Sequence, residues 1–267
     1  MAILNVEGAS LNYEVTSAVS PWISDPETIV FHHGLGASAG IWAQWLHFLS
    51  DRFRVVRFDM RGHGQSTVVS ERAPISLTEL IGDLMAVADA VGAERFHLVG
   101  ESLGGTLAMS AALQHPRRIA TLTVSNGAHV GGAIGNVRNW AQIIANEGMR
   151  GWSTHMMDCR FFPGALTKEQ WDWYDAQQAG ASPEFVLRAL EQLVGADLSK
   201  QLPELRLPVL LLHPDSSPFI PVSLMAQLHA SLPDSRMQVF AHTRHGLPFS
   251  HASECARVLR AFLDERH

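Results

Sequence analysis

The feature that most constrains this chain is a rhythm in which short runs rich in β-branched and aromatic residues alternate with helical patterns. The runs are "TIVFHH" (28–33), "FRVVRFD" (53–59), "RFHLVG" (95–100), "IATLTVSN" (119–126), "LPVLLLH" (207–213) and "RMQVFAH" (236–242). Runs that are apolar almost throughout suit strands buried on both faces, and strands separated by helices suit a parallel sheet with helices on either side. Two further strands, near residues 2–7 and 11–16, are expected to form an antiparallel edge, which gives a mostly parallel sheet of eight strands. Between the strands, "SLTELIGDLMAVADAVG" (76–92) reads as a helix. Ser76 and Glu79 make a capping box, Leu77, Leu80, Ile81, Leu84, Ala88 and Val91 share a face, and Gly92 stops it. Asp83 is placed on the polar side. "HASECARVLRAFLDE" (251–265) has the same amphipathic spacing.

The rhythm breaks between about 131 and 203. That stretch has no good strand, its helical runs are interrupted by Gly and Pro, and it holds Trp140, Trp152, Trp171 and Trp173, four of the seven tryptophans. It reads as a helical cap inserted into a core built from residues 1–130 and 204–267. A chain of 267 residues, 46% hydrophobic and 17% charged, can bury one large core of this kind. The net charge of −6 and the lack of any Lys/Arg run imply neither nucleic acid nor an anionic membrane as a partner. Cys159 and Cys255 are too few for a disulfide framework, the first residues alternate like a strand, and no apolar stretch reaches about 18 residues. A cytoplasmic protein acting on a small molecule is the expectation, with oligomeric state left open.

Chemistry enters at "LVGESLGGTLAMSAALQHP", where Gly100-Glu101-Ser102-Leu103-Gly104 lies between a β run and a helical run. In that context G-x-S-x-G is a strand-to-helix turn, tight enough that small residues are needed at 100 and 104, with the Ser102 hydroxyl pushed clear of the sheet. The helix N-terminus behind it favours developing negative charge. "HHGLGASAGIW" (32–42) and "AHTRHGLPFSH" (241–251) supply a glycine-containing loop and a late histidine. His242 and His245 are spaced i, i+3 and His32 adjoins His33, but no H-E-x-x-H or Cys-rich spacing points to a metal, so neither metal nor cofactor is expected.

With the H-G-x-G loop, "DMRGHGQS" (59–66), the Ser102 elbow and the late His, the chain resembles the α/β-hydrolase fold superfamily over nearly its whole length. The resemblance implies a serine nucleophile at Ser102, a general base at His245, and an oxyanion hole made by the backbone N–H groups of Leu35 and Leu103. It makes His33 a loop brace. Arg61 and His63 are read as loop anchors.

The acid partner of His245 is less plain. In this superfamily it commonly follows the strand after the cap, in a pattern like P-x-L-L-L-x-G-x-x-D-x-x-x-P. Laying "PVLLLHPDSSPFIP" on that pattern without gaps puts Ser217 at the acid, with Asp215 two residues early. Two residues of extended chain displace a side chain by about 6.6 Å, so Asp215 reaches His245 only if Pro214 and Pro218 reroute the loop. Asp215 is taken as the acid, through such a bend, with Ser217 as the alternative orienting residue if the loop does not bend. The position after the sixth strand, Ser125-Asn126, offers no carboxylate, and Glu101 is expected to be held by the elbow in another direction.

Within the superfamily, "RVVRFDMRGHGQS", "LTVSNGAHVG" and "EGMRGWSTHMMDCRFFPG" resemble 3-oxoadipate enol-lactonase-like enzymes, which act on small acids from aromatic-ring breakdown. That resemblance implies hydrolysis of an ester or lactone through a Ser102 acyl-enzyme. In the cap, Arg160 could grip a substrate carboxylate bidentately between Trp140 and Phe161; it could equally be a surface residue of a helical cap. An amide or C–C bond hydrolase would use the same residues. A receptor that binds without turnover, or a cofactor-free lyase or oxygenase on this fold, are the readings outside hydrolysis.

Overall fold

Each apolar run above becomes a strand, and the alternation within it decides which of two cores its side chains enter. In this computed structural model, which describes residues 1–68 and 75–266, the chain opens with β1 (Ala2–Val6), β2 (Ala9–Thr16), β3 (Thr28–His32), α1 (Leu46–Leu49), β4 (Arg54–Phe58) and β5 (Thr67–Val68). It continues through α2 (Leu77–Ala90), β6 (Phe96–Glu101), α3 (Leu103–Gln114) and β7 (Ile119–Ser125). The helices α4 (Trp140–Arg160), α5 (Lys168–Ala179) and α6 (Pro183–Gly195) follow, then β8 (Val209–Pro214), α7 (Val222–Ser231), β9 (Ser235–Phe240), α8 (Leu247–Ser250) and α9 (Ala252–Asp264).

The strands make one sheet in the order β1-β2-β4-β3-β6-β7-β8-β9, with the two-residue β5 paired to β2 beside this eight-strand path. Pairing is antiparallel where β2 meets β1, β4 and β5, and parallel from β4 through β9. Val30, Val56, Leu98, Val124 and Leu211 face one core, and Ile29, Phe31, Val55, Val99 and Leu212 face the other. The first core takes in α2 and α3, while the second takes in Cys255, Leu259, Phe262 and Leu263 of α9. Burying each such Leu, Val or Phe contributes about 1.5–3 kcal/mol, and a strand apolar on both sides satisfies both cores at once.

The cap of α2 differs in detail from a reciprocal box. Ser76 Oγ accepts the Glu79 N–H at 3.2 Å, but its hydroxyl donates to the Glu79 carboxylate at 3.0 Å. Asp83 is not on a solvated face. It is buried, and Arg61 donates to both of its oxygens at 2.6 Å, because the polar side of α2 packs on the 59–66 loop. Between β7 and β8, α4 is broken at Gly148, whose φ of 67° is left-handed. Ser182 caps α6 just before Pro183, and Thr167 with Gln170 forms a capping box on α5. Among the described residues no helix is long and apolar enough to cross a membrane.

The parallel register matters for function. It pairs His32 with Gly100 and Glu101 with Ser125, so β3, β6, β7 and β8 end together and their following loops converge at one edge. Ligand sites of open α/β sheets form at such carboxyl ends.

Candidate active site

Ser102 stands between β6 and α3 with φ 54° and ψ −118°, a conformation that a non-glycine residue adopts at a cost of about 1–3 kcal/mol. The turn is held by Ser102 N–H donating to Ser125 O at 2.9 Å, and by Gly105 and Thr106 N–H donating to Ser102 O. A Cβ on Gly100 would lie 2.2 Å from Gly104 O, and one on Gly104 would lie 2.4 Å from His32 O. The two flanking glycines are therefore required by close backbone approach.

His245 comes from the loop between β9 and α8, and its Nε2 is 3.0 Å from Ser102 Oγ. The ring is buried, with Phe219 edge-on at 4.8 Å between centroids. Asn126, at φ 53°, donates its side-chain N–H to His245 O at 2.6 Å and so fixes the backbone of that loop. Burial, then the positive Arg160, then His213 hold the His245 pKa well below 6.5, so the ring is neutral and able to accept a proton at neutral pH.

At Nδ1 the partner is Ser217, whose Oγ is 3.0 Å away. The same oxygen accepts the N–H groups of Phe219 at 3.3 Å and Ile220 at 3.2 Å. Asp215 does not reach His245. The strand β8 stays paired with β9 through Pro214, and the next residue turns its carboxylate outward, accepting the N–H of His242 at 2.9 Å and of Thr243 at 3.1 Å. The prolines do not reroute the loop, and the ungapped register, with Ser217 at the acid position, describes the geometry. Asp215 instead pins the turn that leads to His245.

Glu101 also departs from expectation. Its carboxylate points back into the site: Oε2 accepts the Gly34 N–H at 2.8 Å, and Oε1 is 3.5 Å from Arg160 Nη1 and 4.0 Å from His245 Nε2. Burial raises its pKa, opposed by Arg160 and the Gly34 N–H.

The loop after β3 is braced from several sides. His33 Nε2 accepts the Met60 N–H at 2.9 Å, which leaves its Nδ1–H to donate to Gly34 O at 2.8 Å. His63 Nε2 accepts the Gly36 N–H at 3.0 Å. Asp59 accepts the N–H groups of Ala39 and Gln65 and the Asn12 amide. Leu35 lies between these anchors, its carbonyl taken by Arg160 Nη2 at 2.6 Å. Its N–H, like that of Leu103 in the first turn of α3, is bonded to no other described residue.

A small cavity lies beside Ser102 and His245, lined by Leu35, Ile134, Val137, Trp140, Met156 and Phe219, with Arg160 at its wall. Trp140 is thus at the cavity. Phe161 is not among the lining residues; it packs on Tyr174, Trp171 and Phe249 in the second core and abuts Gly246. Arg160 is already partly committed within the protein. Its Nε is bonded to Gln178 Oε1 at 2.8 Å and its Nη2 to Leu35 O, and only Nη1 lacks a hydrogen bond. Its backbone carbonyl accepts the Gly246 N–H at 2.9 Å, so this residue clamps both loops of the site. Glu101, Asn126 and Gln178 are the site residues that the sequence did not assign. Glu101 carried a signal, a charged residue at the end of a strand buried on both faces. No cluster of three or more His, Cys, Asp or Glu able to hold a metal occurs among the described residues.

A family model described as alpha/beta hydrolase fold matches residues 27–252. The chain is 28% identical over 236 residues to a protein of Caulobacter sp. (strain K31) named "Putative carbamate hydrolase RutD", covering 84% of this chain and 85% of that one. In structure it is similar to the enol-lactonase from Burkholderia xenovorans LB400, with TM-score 0.86 and 22% identity over 98% of this chain and 100% of that chain. It is also similar to a bromoperoxidase from Bacillus anthracis, with TM-score 0.88 and 20% identity over 98% and 99%. Proteins named for different activities share this fold, so the bond cleaved has to be argued from the site.

Proposed function

The chain belongs to the alpha/beta hydrolase fold family, and from that premise we propose that it cleaves an ester or lactone bond of a small metabolite through a Ser102 acyl-enzyme, with no cofactor. The observation that carries this reading is the strained Ser102, its Oγ 3.0 Å from the Nε2 of a buried, neutral His245. Ser102 Oγ attacks the acyl carbon as its proton passes to Nε2. The carbonyl electron pair moves onto oxygen, which the N–H groups of Leu35 and Leu103 receive. Collapse breaks the bond to the leaving oxygen, which takes the proton from Nε2, and water repeats the sequence on the acyl-enzyme to release the acid and restore Ser102. Each oxyanion donor of this kind is worth about 3–4 kcal/mol of barrier.

The cavity favours a compact, largely apolar acyl group. A carboxylate on the substrate would meet Arg160 Nη1, the guanidinium nitrogen that has no hydrogen bond and whose charge already faces Glu101. Carbamate cleavage by the same residues is the second reading, favoured by the names of relatives 27–28% identical over 84–91% of the chain.

A fluorophosphonate probe and matched panels of small p-nitrophenyl esters, lactones and carbamates, with and without a carboxylate, test this. Labelling that vanishes in Ser102→Ala, with ester or lactone turnover above carbamate turnover, is expected. An unlabelled wild-type Ser102 would refute the serine-hydrolase reading and leave a receptor on this fold, whereas a preference for carbamates would shift the bond assignment.

A further inference from the structure

The usual arrangement for a Ser–His base places a carboxylate against Nδ1, where it stabilises the imidazolium formed during attack. Here that position holds Ser217, a neutral hydroxyl. Three donors converge on its oxygen, the N–H groups of Phe219 and Ile220 and, in the tautomer needed for Nε2 to accept, Nδ1–H. A hydroxyl oxygen has two lone pairs and a proton of its own, so it orients the ring but brings no compensating charge. Among the described residues, the carboxylate within 4.0 Å of a His245 ring nitrogen is Glu101, on the opposite side, at Nε2.

The surroundings of Glu101 suit that task. It is 1% exposed and cannot swing away, since Oε2 is tied to the Gly34 N–H. Oε1 has no hydrogen-bond partner and lies between Arg160 Nη1 and His245 Nε2. Tyr174 from α5, Cys159 from α4, His213 from β8, and His33 and His63 from the bracing loops are the other titratable groups around Glu101, Arg160 and His245. All of these neighbours are neutral in their ordinary forms at neutral pH, so the charges that His245 meets are Arg160 and the Glu101 carboxylate, whose ionised form Arg160 and the Gly34 N–H favour against its burial. Without Glu101, the proton arriving on Nε2 would face Arg160 uncompensated.

We propose that Glu101 is the charge-balancing residue of this site: it acts through His245, stabilising the imidazolium from the Nε2 side in place of the carboxylate absent at position 217. This rests on the hydrolase reading above. It makes Glu101 a positioning residue, with Ser217 holding the ring and Glu101 supplying the charge.

The test is a double-mutant cycle of Glu101→Gln and Ser217→Asp, read on kcat/KM and on the acid limb of its pH profile with an activated p-nitrophenyl ester. An opposite charge at this range shifts a pKa by about 1–3 units. Glu101→Gln is accordingly expected to lower kcat/KM by about 10- to 1,000-fold and to move the acid limb to lower pH. Ser217→Asp should then restore at least ten times more activity in the Glu101→Gln background than it adds to the wild type. Equal gains in both backgrounds, or a Glu101→Gln loss with an unmoved acid limb, would mean that Glu101 only braces Gly34, and would overturn the proposal. If Glu101→Gln does not fold, the wild-type background decides. Ser217→Asp, with its acid limb raised, should improve kcat/KM by less than about tenfold, whereas a site with no charge on His245 stands to gain about 10- to 1,000-fold. A gain above tenfold overturns the proposal. Fluorophosphonate labelling of wild-type Ser102 is run first, so that failure of the hydrolase reading is seen separately from failure of the Glu101 role.

Discussion

Replacing Ser217 with Asp is the perturbation that most directly interrogates the geometry. The oxygen at 217 sits 3.0 Å from Nδ1 and already receives two backbone N–H groups, from Phe219 and Ile220. A carboxylate, with about four lone-pair sites, matches that donor set better than a hydroxyl does, so its burial is offset by three hydrogen bonds. In the wild type His245 is held well below 6.5 by burial, Arg160 and His213. An anion within hydrogen-bond reach of Nδ1 should raise it by about 1–3 units, about 1.4–4 kcal/mol of preference for the imidazolium. The sign follows: the base is lost by protonation, so the acid limb of kcat/KM, expected below pH 6.5 in the wild type, moves up towards neutrality in Ser217→Asp. The assay is a pH–rate profile from pH 4 to 9 on an ester whose leaving group needs no protonation. An acid limb unchanged within about 0.3 unit, in a variant that still labels with the probe, would refute the reasoning. It would mean either that position 217 does not contact His245 in solution or that another group sets the limb.

Other consequences follow from the same contacts. Asp215→Asn keeps the turn hydrogen bonds to His242 and Thr243 in weaker form, and should change kcat by less than about threefold while lowering Tm slightly; a loss of about 10³-fold would restore Asp215 as the acid. Arg160→Lys keeps the charge but cannot hold Leu35 O and Gln178 together, so kcat should fall by about 10- to 100-fold, with KM changed less. Buried His32, His63 and His213 have pKa values lowered by burial to about 4. In each case the unfolded chain takes the proton first, near 6.5, so stability falls with pH across the window from 6.5 to 4, by about 3 kcal/mol per histidine. Circular-dichroism melts should show Tm dropping steeply over that window, and a flat Tm would contradict the burial.

The fold and the strained turn at Ser102 are legible in the sequence because their signals are local. A run such as Val209–Leu212 is apolar at every position whatever surrounds it, and Gly100 and Gly104 are dictated by contacts with Gly104 O and His32 O that any tight elbow would create. Asp83 was misplaced for the opposite reason. A helical wheel reports which side is polar, not whether a loop carrying Arg61 packs there, and only the tertiary structure reveals the ion pair. Phe161 and Trp140 flank the same helix, yet Trp140 enters the cavity while Phe161 turns into the second core, because α4 ends at Arg160 and the chain becomes extended at 161.

The acid site shows where sequence reasoning reaches its limit. A strand-end loop is where register can be counted, and the ungapped count puts at the acid position Ser217, whose Oγ is 3.0 Å from His245 Nδ1. What counting could not supply was the distance across the sheet edge from β6. Glu101 precedes the nucleophile, and the strand alternation gives it a face but not a neighbour; it is the loop after β3, with the Gly34 N–H, and Arg160 at the end of α4 that draw its carboxylate to within 4.0 Å of His245. Three segments far apart in sequence fix one interaction, and none of them specifies it alone. The charge that balances a base need not come from the position that orients it, and in this site the two tasks fall to residues on opposite sides of the same ring.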